Sequence, residues 1–304
     1  MKNKVVFFAN CQGNALGKTL IECDEFNAKY ELVLIPPVHM IKDNTAQYVI
    51  DAVSECDLFI YQNVKESNVR PKNINSSYLL SIIKSDAKSI SIPSIYFDAF
   101  FPHLGGINGW PSPLNLLHDY NVAYCYYIGL SVEQTIDVIN SNNFYTSKKV
   151  YELLENSISS LKEREVFHNL DIKVSNFIIN NYRKKYLMHQ FNHPTRVLLN
   201  FVAESILHLI DIQYILPASG AEYLGFASPK IYPSILLHNK INISTEMETY
   251  CGPQGRIDEK RCIQEYFTIY EKQDNEMLLE AIKKKPFVIN KVERVLKNMN
   301  FSLS

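Results

Sequence analysis

The stretch Val5–Leu20, VVFFANCQGNALGKTL, holds two kinds of chemistry at once. An apolar run ends in Asn10-Cys11-Gln12-Gly13, and Gly17-Lys18-Thr19 follows. A phosphate loop of the Walker type needs Gly, four residues, then Gly-Lys-Ser/Thr. Here Gly13 is followed by only three residues before Gly17, and Gln12 stands where the first Gly belongs. The loop wraps a phosphate with successive backbone N–H groups, so a missing residue breaks it. Asp98, at the end of SIYFD, is a weak acidic partner for such a loop. The alternative is a strand-to-helix turn that presents Cys11. A thiol there sits at the carboxyl edge of a parallel sheet, where open α/β folds bind ligands. The free N–H groups and positive dipole end of the next helix should lower its pKa and offer an oxyanion hole. An ordinary buried cysteine is the bland alternative.

A nucleophilic thiol needs a base, most often His. His193 lies in FNHPTRVLLNF, after Asn192 and before Pro194. Pro194 suits the first turn of an amphipathic helix over 194–211. That placement holds His193 at a rigid corner and turns Arg196 outward; a plain helix cap is the competing role. His189 reads as a packed or solvated residue. His103 lies in FDAFFPHLGGINGWP, a loop with the only Trp and several aromatics, which suits either a pocket wall or a packed loop. Gln62 ends the third apolar run, beside the end of the first, and could donate its amide to an oxyanion.

These motifs together carry a family resemblance. ANCQG, LFIYQNV, IPSIYFDAFFPHL and FNHPTRVLL resemble the WcbI-type capsular polysaccharide biosynthesis acetyltransferase family, from the N-terminus to about residue 215. The resemblance implies a CoA-dependent O-acetyltransferase acting on a sugar of a capsular or other surface polysaccharide. It implies a fold related to the SGNH hydrolases, with Cys11 as nucleophile, His193 as base and Gln62 at the oxyanion position. CoA contacts fall to Asn10, Gln12, Gly13, Lys18, Asn192, Arg196 and His103, with Arg183, Lys184 and Lys185 as further candidate cations for its phosphates; Lys184 and Lys185 read more readily as a solvated basic face. Two departures from the pattern stand out. SGNH enzymes place Asp three residues before the catalytic His, and this chain has Gln190 there; Asp98, Asp171 and Glu204 are the candidate replacements. The family has His before the Pro of the fourth-strand motif, and this chain has Phe101 before Pro102. An esterase or deacetylase using the same residues, a glycosyltransferase, and a non-catalytic sugar- or cofactor-binding protein remain open readings.

The elements that must position these residues are legible as apolar patterns. Lys4–Asn10, Glu31–Pro36, Asp57–Gln62 and Ser89–Tyr96 read as strands, and Asn14–Glu25 and Ala46–Val53 as helices. Runs apolar throughout suit strands covered on both faces. The alternation predicts a doubly wound, mostly parallel α/β sheet, SGNH- or flavodoxin-like, with a large helical C-terminal extension. Helical spacing recurs over 131–141, 147–166, 170–186, 194–211, 258–272 and 274–297. Residues 240–258 are polar and irregular, with a turn at Cys251-Gly252-Pro253. The expected division is an α/β core over 1–130 and a helical region over 131–304 that completes the site.

Composition narrows the field. Hydrophobic residues make up 46% and charged residues 21% of 304, and the net charge is −1. Nothing here points to nucleic acid or an anionic membrane as partner. The apolar run near the N-terminus is shorter than a secretory core of about 7–15 residues, and no run approaches the roughly 20 of a membrane span. The six cysteines form no CxxC pair, which argues against a zinc site or disulfide framework and for a reducing cytoplasm. Frequent Asn, Ile and Lys suggest an AT-rich bacterial genome.

Overall fold

A computed structural model describes residues 1–65, 71, 73–243, 250–252, 255–285 and 287–299; for 250 and 251 only the backbone is described. Thirteen α-helices and a four-stranded parallel sheet are present among these residues. The chain forms two compact units. The first comprises Met1–Tyr96, Ser159–Asn180 and His193–Leu224; the second comprises Phe97–Ile158, Asn181–Asn192 and Gly225–Ser304. The two units interleave along the chain, and residue 130, the expected division, falls within the second.

The first unit is built on strands β1 (Asn3–Phe8), β2 (Tyr30–Val33), β3 (Leu58–Gln62) and β4 (Lys88–Ile92). Their order is β2-β1-β3-β4, all parallel. Helices α1 (Cys11–Leu20), α2 (Asp24–Lys29), α3 (Asp43–Ser54) and α4 (Ser76–Ile82) alternate with them. Side chains alternate across a strand, so β1 serves both faces. Val6 and Phe8 join Val49, Val53, Phe59 and Leu79 in a core under α3 and α4. Phe7 points the other way, where Gly13 and Gly17 bring α1 close. Helices on both faces explain why β1 and β3 read as unbroken apolar runs. The second and fourth strands are shorter than expected. β2 ends at Val33, and β4 ends at Ile92, immediately before Pro93, which has no N–H to extend a ladder.

The helix Arg196–Leu209 packs on α1 within the same unit. It starts two residues later than expected. His193 and Pro194 are extended, and Thr195 caps the helix.

The second unit is mainly helical, with α5 (Tyr120–Tyr127), α6 (Val132–Ile139), and later helices at Pro233–Asn239, Glu259–Tyr270, Asn275–Lys283 and Phe287–Asn298. The expected helix over 274–297 is two helices, and the sequence carries Pro286 between them. The expected helix over 170–186 contracts to Ser175–Asn181. Tyr250–Gly252 and Gly255–Ile257 form an antiparallel pair within the stretch expected to be irregular; Pro253 lies outside the described residues. No helix among the described residues is long and apolar enough to cross a membrane.

Candidate active site

β1 delivers the chain to Asn10 at the carboxyl edge of the sheet. Asn10 is extended, and its Oδ1 accepts from the Gln12 N–H at 2.9 Å, capping α1. An Asn at this position satisfies one of the helix's orphan donors. Cys11 becomes the first helical residue. Its Sγ lies 3.5 Å from His193 Nε2. Both residues belong to the first unit, the thiol half-buried and His193 buried. Cys11 heads α1, and His193 lies three residues ahead of the helix that packs on α1. The packing of two helices therefore sets the thiol–imidazole distance.

The thiol departs from expectation. Burial pushes its pKa up, and the N–H groups of Cys11 and Gln12 oppose that only in part. Desolvation outweighs the helix terminus. Burial therefore favours the neutral thiol over the thiolate, with the His193 imidazole beside it.

A net of amides stitches the carboxyl ends of β1, β3 and the segment after β4. Gln62 Oε1 accepts from the Asn10 N–H at 3.0 Å. Gln62 Nε2 donates to Gln12 Oε1 at 3.1 Å and to the Pro93 carbonyl at 3.2 Å. Gln12 closes a two-way pair with Ile95, donating to its carbonyl at 2.7 Å and accepting from its N–H at 3.0 Å. Gln12 and Gln62 are 1% and 3% exposed. Their buried amides are committed to the scaffold, so the structure does not offer the Gln62 amide to an oxyanion or the Gln12 amide to a cofactor. Each such bond adds about 0.5–1.5 kcal/mol net, and losing one partner costs more. Of the backbone N–H groups expected to form an oxyanion hole, that of Gly13 binds the Asn10 carbonyl at 3.0 Å. The N–H groups of Cys11 and Gln12 are the ones that bear on the sulfur. Gly13 has a packing role: a Cβ there would sit 2.8 Å from Ala9 Cβ and 3.3 Å from Phe7 Cβ.

The remaining expected residues separate. Arg196 does not face outward; it is 2% exposed and pairs with Glu22, and its Nε donates to the Pro217 carbonyl at 3.0 Å. Its donors serve the protein, not a CoA phosphate. Lys18 is exposed, its Nζ 5.6 Å from the centre of the Tyr223 ring, and stays available to an anion. Asn192 is half-buried directly before His193. Arg183, Lys184 and Lys185 are exposed and belong to the second unit, with Arg183 Nε donating to the Asn239 carbonyl at 3.1 Å. His103 also belongs to the second unit, buried against the Tyr232 ring and 3.6 Å from Asp119. Burial pushes its pKa down to about 3. It packs the interior of that unit rather than lining an open pocket. The three carboxylates considered as orienters of His193 are engaged elsewhere. Asp98 accepts from Ser157 Oγ at 2.5 Å, Asp171 from Ser91 N and Oγ at 2.7 Å, and Glu204 from the Leu216 N–H at 2.9 Å. No group of three or more His, Cys, Asp or Glu able to hold a metal occurs among the described residues.

Glu22, Tyr223 and Gly220, which surround Arg196, were not foreseen. Nothing in their local sequence marks them, because each acts through a partner far along the chain.

A family model described as the polysaccharide biosynthesis enzyme WcbI matches residues 4–214. A solved structure of WcbI is similar to this chain with a TM-score of 0.83 at 21% identity, covering 97% of this chain and 99% of that one. That protein is described as a novel polysaccharide biosynthesis enzyme, in its native form without a disulfide bond between CoA and one of its cysteines. At this identity the likeness shows a shared fold. No curated protein matches at a significant level.

Proposed function

The chain belongs to the WcbI family of polysaccharide biosynthesis enzymes, and from that premise we propose that it transfers an acetyl group from acetyl-CoA to a sugar hydroxyl. The acceptor in this reading is a sugar of a capsular or other surface polysaccharide. The observation that carries it is the Cys11 Sγ to His193 Nε2 approach of 3.5 Å at the start of α1. A thiol and an imidazole within reach make an acyl-transfer pair. The association of CoA with a cysteine in the neighbour of like fold supports CoA as the donor here. The strand order β2-β1-β3-β4, with Cys11 after the first strand and His193 late in the chain, supports an SGNH-like ancestry. Five free cysteines among the described residues support a bacterial cytoplasm as the setting.

The steps follow from a neutral thiol beside a base. His193 Nε2 takes the Cys11 proton as Sγ attacks the thioester carbonyl. The C–S bond to CoA breaks, and the imidazolium returns the proton to the departing CoA sulfur. Cys11 then carries the acetyl group as a thioester. The sugar hydroxyl attacks that carbonyl while His193 takes its proton, the bond to Sγ breaks, and the proton returns to Cys11. The N–H group of Cys11 and the positive end of α1 favour the negative oxygen of each tetrahedral intermediate. One such donor is worth about 2.7–4 kcal/mol. Lys18 is the exposed cation of the first unit that this reading assigns to a CoA phosphate.

The test is release of CoA thiol from acetyl-CoA in the presence of acceptor sugars, with the intact protein weighed before acceptor is added. Gain of one acetyl group on the Cys11 peptide is expected, lost in Cys11→Ala. Full turnover in Cys11→Ala and His193→Ala overturns the assignment. Acetyl-ester hydrolysis without CoA supports an esterase instead.

A further inference from the structure

The second unit carries a surface cavity of about 380 Å³ between the start of the helix Ser147–Phe167 and the helix Phe287–Asn298. Its lining sets Lys148, Lys149, Lys291 and Arg294 against one carboxylate, Glu152, with Tyr145 and Phe287 as aromatic surfaces. Four cations gather here in a protein whose net charge is −1.

Three observations show that this charge is not neutralised from within. Lys291 is 9% exposed, and its Nζ has no hydrogen-bond partner among the described residues. It sits 4.1 Å from the centre of the Tyr145 ring and 4.2 Å from that of Phe287. Two ring faces offset only part of what an ammonium loses on leaving water. Burial pushes its pKa down to about 7, and Lys149 and Arg294 push the same way. Second, the helix Ser147–Phe167 begins at the cavity with Lys148 and Lys149 and has no acidic residue in its first turn. Cations at the positive end of a 21-residue helix oppose its dipole, and an anion there removes the conflict. Third, Arg294 is held in place by Nη2 donating to the carbonyls of Asn143 at 3.0 Å and Phe144 at 2.6 Å. Among the described residues Glu152 answers only Lys149, at 3.4 Å.

We propose that this cavity binds a phosphate-bearing small molecule with a ring that stacks on Phe287. Lysines act as point charges around a tetrahedral anion, whereas a carboxylate is best met by a free guanidinium fork. The one arginine here spends part of its fork on backbone carbonyls. Phe287 is 37% exposed and, besides its contact with Lys291, presents aromatic surface to a ligand. CoA and a nucleoside diphosphate sugar both carry phosphate beside a ring. The site shares no residue with Cys11 and His193, so it stands apart from the acetyl-transfer reading.

Titration calorimetry on the full chain tests it, with inorganic pyrophosphate, CoA, UDP-glucose and, as carboxylate control, trigalacturonate. Pyrophosphate is expected to bind, and Lys148→Gln/Lys149→Gln to weaken it by at least about tenfold. Both lysines sit at the surface end of a helix, so the double variant should fold, which a urea midpoint verifies. Lys291→Met is expected to weaken it as well, and Cys11→Ala to leave it intact. The organic ligand that loses affinity in the double lysine variant is the source of the phosphate. No pyrophosphate binding at millimolar concentration, equal binding in wild type and double variant, or tighter binding of trigalacturonate overturns the proposal.

Discussion

Arg196 and Glu22 meet side by side: Nη1 contacts Oε1 at 2.9 Å and Nη2 contacts Oε2. Arg196 opens the helix that follows His193, and Glu22 lies just past the end of α1, the helix that Cys11 begins. The pair ties together the two helices whose packing sets the thiol–imidazole distance. Tyr223 Oη adds a 3.0 Å bond to Glu22, and a Cβ at Gly220 would come within 2.5 Å of the guanidinium carbon. Glu22→Gln leaves Arg196 buried without its counter-charge. Breaking a fully buried pair costs about 3–5 kcal/mol; Glu22 keeps some water, so about 2–3 kcal/mol is expected. The urea midpoint should fall and turnover with it. An unchanged midpoint removes the clamp from the account. The guanidinium holds the Glu22 carboxyl below its usual range. Its contribution is therefore present at neutral pH and is lost as pH falls through that lowered value.

Cys11 gives a prediction of opposite sign to the usual reactive cysteine. Burial raises its thiol, so alkylation by iodoacetamide should climb with pH along a curve displaced above that of a free cysteine. Mass mapping of the Cys11 peptide reads it without interference from the other thiols. An inflection below the free value would mean a resting thiolate–imidazolium pair. His193→Gln should leave the alkylation curve raised while turnover falls by about 10²–10⁴.

Gln62 separates a scaffold from a catalytic donor. Gln62→Ala strands the Asn10 N–H and leaves Gln12 Oε1 and the Pro93 carbonyl each one donor short in a buried net. A stability loss of about 2–3 kcal/mol is expected, from two or three bonds at about 1 kcal/mol each. Activity should fall in step with stability. A drop of about 10²–10³ in kcat with the urea midpoint unchanged would instead make Gln62 an oxyanion donor.

Gly13→Ala sets two effects against each other. Alanine favours a helix over glycine by about 1 kcal/mol. Against that, its Cβ would meet Ala9 Cβ at 2.8 Å, and both atoms are fixed to backbone. Overpacking typically costs about 1–3 kcal/mol, so net destabilisation is expected. A raised thermal midpoint would show that α1 can shift away from β1.

These cases show where the sequence was readable. Val5–Phe8 and Leu58–Ile60 announced themselves because strands covered on both faces must be apolar at every position. That Cys11 and His193 meet was readable because their types carry chemistry and a strand end or a helix start marks each. Arg196, Gln12 and Gln62 were read as facing a ligand because an arginine or an amide suits a ligand and a scaffold equally well. What decides between them is the partner: Glu22, Ile95 and Pro93, each far along the chain. The cationic cavity was invisible for the same reason, since segments about 140 residues apart build it. The division into units was hidden too, because the chain leaves the first unit and returns to it twice.

Lys291 yields the last prediction. Its folded pKa is about 7, against about 10.4 for a free lysine. Between those values the unfolded chain holds a proton that the folded chain lacks. Stability therefore rises with pH across that window, by up to about 1.4 kcal/mol per pH unit. Other groups titrate as well, so the comparison is with Lys291→Met, which removes this slope alone. The charged groups facing Lys291 are Lys149 and Arg294, with Lys148 and Glu152 lining the same cavity and His103 held neutral by burial. The urea midpoint of wild type should therefore rise steadily relative to that of the variant from about pH 7 to 9. A bound phosphate reverses the preference, because it favours the ammonium. Pyrophosphate affinity should therefore fall over the same range in wild type and fall less in Lys291→Met. Parallel stability curves for the two proteins would show that Lys291 keeps its proton in the fold.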